Sequence, residues 1–326
     1  MPEADAILKV DDLRVHFPLR GGFLGLRSAG SVHAVDGVSF TIERGRTLSL
    51  VGESGCGKST TGYALLRLVS ATGGQVLLDG RDLLACRAGE MRQHRRRIQI
   101  IFQDAAASLD PRMPIGDLLA EALDIHGLHR GPGRMAHIRR LLDQVGIPSH
   151  FLQRYPFELS GGQAQRVALC RALAVEPDLI VCDEPIAALD VSIQAQIVNL
   201  MQDLQREHGL AYLFISHDLA VVRHISHRIA VMYLGRIVEQ ADKTALFERP
   251  AHPYTRALLS AVPIPDPEIE AARQRVVLSG ELPSPANPPS GCVFRTRCPD
   301  ARPACADTVP ASRRVGEDHD ASCIFA

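Results

Sequence analysis

The run Gly52–Thr60, GESGCGKST, constrains this chain more than any other stretch, because of what flanks it. An apolar run, TLSLVG (Thr47–Gly52), leads into it, and STTGYALLRLV, which reads as a helix, follows. The run fits G-x-x-x-x-G-K-S/T, and a strand before it with a helix after it is the context that gives this pattern a physical meaning. Gly52, Gly55 and Gly57 let backbone N–H groups, with those of Ser54 and Thr60, curl around phosphates. Lys58 brings a positive charge to the outer phosphates, and Ser59 offers a hydroxyl to Mg2+. The bland reading of the same residues is a glycine-rich turn with a chance lysine, and the two flanks weigh against it.

LIVCDEP (Leu179–Pro185) reads as a buried strand ending in two carboxylates. Asp183 is placed to hold Mg2+, and Glu184 to orient or deprotonate an attacking water. Taken alone, two acids before a proline also suit the start of a helix. A second glycine signal stands at LSGGQAQR (Leu159–Arg166), ahead of a strongly helical run. Glycine disfavours a helix interior. It is useful where a helix begins and its free N–H groups must approach an anion.

VSFTIE (Val38–Glu43), QVLLDG, IQIIFQ (Ile98–Gln103), AYLFIS (Ala211–Ser216) and the two halves of RIAVMYLGRIVEQ read as strands, the last pair turning at Leu-Gly. Residues from about 104 to 174 carry a helical pattern, and Ile193, Ile197, Leu200 and Leu204 mark one face of a later helix. Strands alternating with helices imply an α/β core with a parallel sheet and a helical insertion. From Pro263 onward PIPDPE and ELPSPANPPSG mark a loop-dominated extension. We therefore expect an ATPase-like domain over 1–262, with its helical subdomain at about 104–174, and an extension over 263–326.

With 36 basic against 37 acidic residues, charge gives no global reason to expect nucleic acid as a partner. No apolar run is long enough to span a membrane, and MPEADAILKV lacks a signal-peptide core, so a cytoplasmic chain is expected. Of the eight cysteines, Cys56, Cys86, Cys170 and Cys182 are scattered through the body and read as small buried residues or incidental thiols. RQHRRR (Arg92–Arg97) reads as a solvated basic face; no interleaved aromatics support nucleic-acid contact.

Together GESGCGKST, the glutamine of IIFQD, LSGGQAQR, LIVCDEP, AALD and the histidine of FISHD resemble, in that order, the nucleotide-binding subunit of ABC transporters. That resemblance implies a P-loop NTPase of the ABC type: a RecA-like core, an antiparallel β subdomain, a helical subdomain and here a Pro/Cys-rich C-terminal extension. It implies ATP and Mg2+ as ligand and cofactor. Ser160, Gly161, Gly162 and Gln163 would face the γ-phosphate held by an opposite subunit, so that ATP joins two subunits. Gln103 resembles the residue that senses Mg2+ and water beside the membrane subunits. Asp190 resembles the residue crossing the dimer interface, and His217 the switch histidine on the γ-phosphate. Phe17, in LRVHFP, stands where the family places an adenine-stacking aromatic, with a buried core phenylalanine as the other reading. Two departures are visible: Ala164 stands where a basic residue is common after LSGGQ, and AALD replaces SALD. Neither removes a phosphate donor or a catalytic acid.

RPAHPYTRALLSAVP (Arg249–Pro263), VHAVDGVSFTIERG and FQDAAASLDPRM resemble the ATPases of oligopeptide, dipeptide and nickel importers. What this implies is a peripheral protein on the cytoplasmic face of the membrane that powers uptake of short peptides. Its partners would be a second, related ATPase, two transmembrane permease subunits and an extracytoplasmic substrate-binding protein, with no nucleic acid. The same ATPase role for nickel or another small solute, or a soluble ABC ATPase without transport, are the alternatives. Cys292, Cys298, Cys305 and Cys323 have the spacing C-x5-C-x6-C-x17-C. Thiols in a loop-rich segment of a reducing compartment favour a metal group over disulfides. The resemblance points to a 4Fe-4S cluster; zinc or unliganded thiols are the other readings, the spacing lacking the paired C-x2-C of most zinc sites.

Overall fold

The computed structural model describes residues 5–21, 27–263, 266, 268 and 276–326. The start of the proline-rich stretch lies partly outside the described residues. In chain order the strands are β1 (Ala6–Gly21), β2 (Arg27–Glu43), β3 (Thr47–Val51), β4 (Gly73–Leu78), β5 (Arg81–Asp82), β6 (Ile98–Ile101), β7 (Leu179–Asp183), β8 (Ala211–Ser216), β9 (Arg228–Tyr233), β10 (Arg236–Asp242), β11 (Arg313–Gly316) and β12 (His319–Ala321). The helices are α1 (Lys58–Leu65), α2 (Ala88–Arg97), α3 (Ile115–His126), α4 (Arg134–Gln144), α5 (Gly161–Leu173), α6 (Val191–His208), α7 (Leu219–Ile225), α8 (Lys243–Glu248), α9 (Pro253–Ser260) and α10 (Ala304–Asp307). Among the described residues no helix is long and apolar enough to cross a membrane. The chain divides into two compact units, one of Met1–Ile7, Ile42–Thr47 and Ala85–Ser216, the other of Leu8–Thr41, Leu48–Leu84 and His217–Ala326.

In the first unit β6, β7 and β8 pair in parallel, Ile98 opposite Leu179 and Leu179 opposite Ala211. Every residue of β7 and β8 is buried, as expected of parallel strands covered on both faces. Helices α3, α4 and α5 form the helical layer. Ile115, Leu118, Leu119 and Leu123 give α3 one buried face, and Gly127, at φ 68, ends it in the left-handed conformation. The structure rotates the expected apolar face of α6: Ile197, Val198, Met201 and Leu204 are buried, whereas Ile193 and Leu200 are only half-buried. The basic run on α2 is not merely a solvated face. Arg92 donates to the Ile125 carbonyl, Arg96 to the Val175 carbonyl, and Arg97 pairs with Asp178 at 2.5 Å. These bonds tie α2 to the chain around residues 125 and 175–178.

The second unit holds the antiparallel sheet β2-β1-β4-β5 and a parallel pair, β3 with β9. On β1 the buried residues are Ile7, Leu8 and Val10, then Leu13 and Val15. The step of three marks an irregularity between Asp11 and Arg14, where Asp12 adopts φ 47. Such a bulge resets which side chains face the core. Helix α1 is shorter than its sequence suggests and stops at Leu65, because Arg67 takes φ 52. The Leu-Gly turn between β9 and β10 has both residues left-handed, Leu234 at φ 46 and Gly235 at φ 79, the geometry of a tight two-residue hairpin. β12 then adds antiparallel to β10. His319 Nε2 lies 2.7 Å from Glu239 Oε1, both buried, while Glu239 also accepts from the Ala251 and His252 amides.

Candidate nucleotide site

In the second unit, β3 delivers the loop Gly52–Gly57 straight into α1. Gly52, Gly55 and Gly57 have φ 153, 80 and 104. A Cβ on Gly57 would sit 2.0 Å from the Ala34 carbonyl oxygen, and one on Gly52 2.2 Å from that of Met232. Gly55 meets nothing within 4 Å, so it serves conformation rather than space. Gly57 caps α1 without a side-chain bond, which leaves the helix's first N–H groups to other acceptors. Ser59 and Thr60 lie half-buried in the first turn, and Ser54 is exposed at the loop's tip. Lys58 is buried, its Nζ donating to the Gly52 and Glu53 carbonyls at 2.8 and 2.9 Å.

Phe17 is 42% exposed on β1, so it is not a core phenylalanine, and its ring is free to be stacked upon. His217 is exposed directly after β8, and Asp218 beside it caps α7 by accepting from the Ala220 amide at 2.8 Å.

In the first unit, β7 ends with Asp183 buried and Glu184 half-buried. Glu184 takes φ 45 while its amide donates to the Ile215 carbonyl at 3.0 Å. A left-handed non-glycine residue is costly, so the surrounding structure holds Glu184 in this conformation. Its Oε2 accepts from Gln103 Nε2 at 3.0 Å. β6 ends at Ile101, so Gln103 belongs to the loop that follows, and the expected strand through 103 is two residues too long.

LSGGQ begins α5 with a reciprocal cap: Ser160 Oγ accepts from the Gln163 amide at 3.4 Å, and Gln163 Oε1 from the Ser160 amide at 3.0 Å. The glycines have a steric reason as well. A Cβ on Gly161 would meet Leu189 at 3.1 Å, and one on Gly162 would meet Ile193 at 2.7 Å. Gln103 and Gly161, with Pro185 and Ala187–Leu189, line one cavity of about 460 Å3. Asp190 precedes α6 with its side chain exposed and makes no capping bond there.

The C-terminal cysteines come together. Cys292, Cys298, Cys305 and Cys323 are free thiols lining one cavity of about 350 Å3. Burial pushes the Cys298 thiol up to about 11, and burial with Cys305 and Cys323 nearby raises Cys292. The motifs gave no sign of what lies beside them: Arg297, between two of these cysteines, pairs with Glu53 of the phosphate loop. Two separated sequence positions with no shared pattern carry no signal of such a contact.

A family model described as ABC transporter matches residues 35–187, and one described as oligopeptide/dipeptide transporter, C-terminal region, matches 238–305. The oligopeptide transport ATP-binding protein AppF of Bacillus subtilis (strain 168) is 49% identical over 320 residues, covering 98% of this chain and 97% of its own. OppF of Salmonella typhimurium (strain LT2), another oligopeptide transport ATP-binding protein, is 53% identical over 98% of this chain and 96% of its own. Among solved structures, cbiO1 from Clostridium perfringens, part of the ABC transporter complex cbiONQ, aligns with TM-score 0.63 and 28% identity over 75% of this chain and 92% of its own. The dimeric ATP-binding cassette MJ0796, bound to ADP and Pi after hydrolysis, aligns with TM-score 0.63 and 27% identity over 72% of this chain and 98% of its own. With glycine loop, buried lysine and acidic strand end in this order, and with relatives alike along their whole length, the chain belongs to the ATP-hydrolysing, ATP-binding proteins of ABC transporters and carries their oligopeptide/dipeptide C-terminal region.

Proposed function

We propose that this chain is the ATPase subunit of a peptide importer, seated peripherally on the cytoplasmic face of the membrane. Its partners in this reading are a second ATPase of its kind, two permease subunits and an extracytoplasmic substrate-binding protein. The observation that carries the reading is the Lys58 cradle over the Gly52 and Glu53 carbonyls, in a chain alike end to end to an oligopeptide transport ATP-binding protein.

Lys58 takes the β and γ phosphates of ATP once its two carbonyls are given up, and the loop amides opened by Gly52, Gly55 and Gly57 take the rest. Phe17 stacks on the adenine. Ser59 on the second unit, and Asp183 and Gln103 on the first, are each read by resemblance as Mg2+-binding residues, the ion neutralising charge on the phosphates when bound. Glu184 takes the proton of the attacking water, and the Gln103 amide keeps its carboxylate oriented. His217 contacts the γ-phosphate. The exposed start of α5, with Ser160, Gly161, Gly162 and Gln163, serves the nucleotide of the second ATPase, and Asp190 lies on that shared face.

The thiols at Cys292, Cys298, Cys305 and Cys323 fit a 4Fe-4S cluster better than a single ion. The four thiols line one cavity of about 350 Å3, and their spacing lacks the paired C-x2-C of most zinc sites.

Glu184→Gln tests the ATPase reading. We expect hydrolysis to fall by about a hundredfold or more with ATP retained in the protein, read by steady-state turnover and by filter retention of labelled ATP. Unchanged turnover removes Glu184 from its role. Anaerobic extraction of the tagged chain from membranes tests the rest. Two multispanning proteins and a sister ATPase in the eluate support the importer, and a brown colour absorbing at about 400 nm supports the cluster.

A further inference from the structure

Glu53 follows the first glycine of the phosphate loop, and it is held from three directions. Its amide donates to Tyr254 Oη at 2.9 Å, its carbonyl accepts from Lys58 Nζ at 2.9 Å, and both carboxylate oxygens accept from Arg297 Nη1 at 3.1 and 2.8 Å. The Arg297 side chain is 9% exposed, and its guanidinium lies 5.9 Å from the centre of the Tyr233 ring. Tyr233 in turn packs with Tyr254 and Phe294, edge to face or tilted, with ring centres 4.8 to 5.3 Å apart. Arg297 is thus held by its pair with Glu53 and by burial beside Tyr233 rather than waving at the surface.

A carboxylate beside a loop that must receive a polyphosphate is an electrostatic liability. Lys58 alone would be offset by Glu53, leaving the local charge near zero. We propose that Arg297 is a positioning residue of the nucleotide site: it neutralises and orients Glu53, so that the Lys58 charge is free to act on the phosphates. The C-terminal extension is then a working part of the ATP site. This rests on reading Gly52–Thr60 as the phosphate loop.

The test is isothermal titration of the full-length chain with MgATP, at about 0.05 M and 0.5 M salt, because the attraction between the loop's net charge and an incoming polyphosphate is screened at the higher value. Arg297→Ala is expected to weaken the Kd by about three- to fivefold at low salt, and by less at high salt. In the Arg297→Ala, Glu53→Gln double variant, affinity should return to within about twofold of the unaltered chain. A Kd for Arg297→Ala within about twofold of the unaltered chain overturns the proposal, as does a loss that Glu53→Gln does not rescue. Should Arg297→Ala fail to fold, Glu53→Gln alone decides. Equal or tighter binding supports the proposal, and weaker binding overturns it. Lys58→Ala separates the underlying reading: if that variant keeps its affinity, the phosphate-loop assignment fails rather than the role of Arg297.

Discussion

Two glycines of one loop do different work. Gly57 combines a left-handed φ of 104 with a neighbour that leaves no room, since its Cβ would lie 2.0 Å from the Ala34 carbonyl oxygen. Gly55 has φ 80 but open space around it. Gly55→Ala should therefore cost the ligand-free protein only the backbone penalty, about 1 kcal/mol. Gly57→Ala must push the loop or β2 aside, and we expect it to lose binding and to melt several degrees lower. Thermal melts with and without MgATP would distinguish the pair, and equal behaviour would discount the contact with Ala34. Glu184 makes the complementary point: the sequence shows two adjacent acids, but only its φ of 45 and its bond from Gln103 show how the second is aimed.

At the scale of the element, α9 depends on an unusual cap. His252 Nδ1 accepts from the Tyr254 amide at 3.1 Å, so the ring must stay neutral on that nitrogen. Burial, with Arg256 adding to it, holds the imidazole down at about 4 from an ordinary 6.5. The unfolded chain therefore takes up a proton first as pH falls. Stability from this group is complete above about 6.5 and is lost between about 6.5 and 4, by up to about 3 kcal/mol. Urea denaturation between pH 7.5 and 5 should show this loss. His252→Asn keeps a capping oxygen, removes the titration and should flatten the slope; an unchanged slope would assign the loss to other groups. The same helix presents Tyr254 to Glu53, so its cap also steadies the phosphate loop.

For the whole molecule, the C-terminal extension closes what the rest of the second unit would leave open. β12 covers the edge of β10, and His319 supplies a partner to Glu239, which is 1% exposed. Ending the chain at residue 310 removes both. Glu239 keeps the Ala251 and His252 amides but loses its side-chain partner, a cost of about 1–3 kcal/mol, and an open strand edge invites aggregation. We expect such a chain to melt roughly 5–10 °C lower and to aggregate on heating, as followed by calorimetry and light scattering. In the full-length chain His319→Gln, which can still donate to the carboxylate, should keep most of this stability, and a truncated chain that melts unchanged would make the extension an ornament.

What the sequence determined by itself was everything carried by local pattern. Apolar runs such as LIVCD and AYLFIS became buried parallel strands, the glycine loop fell between strand and helix, and Leu-Gly turned a hairpin. Each follows from side-chain periodicity or backbone freedom within a few residues, which is why reading along the chain sufficed. Tertiary structure decided the rest. Only packing showed that Gly161 and Gly162 make room for Leu189 and Ile193, that α6 buries Val198 and Met201, and that four cysteines spread over the extension share one cavity. Only folding brings Arg297 to Glu53, 244 positions away in the chain. Charge pairing and close approach act through space, and neither leaves a mark on the residues adjacent in sequence.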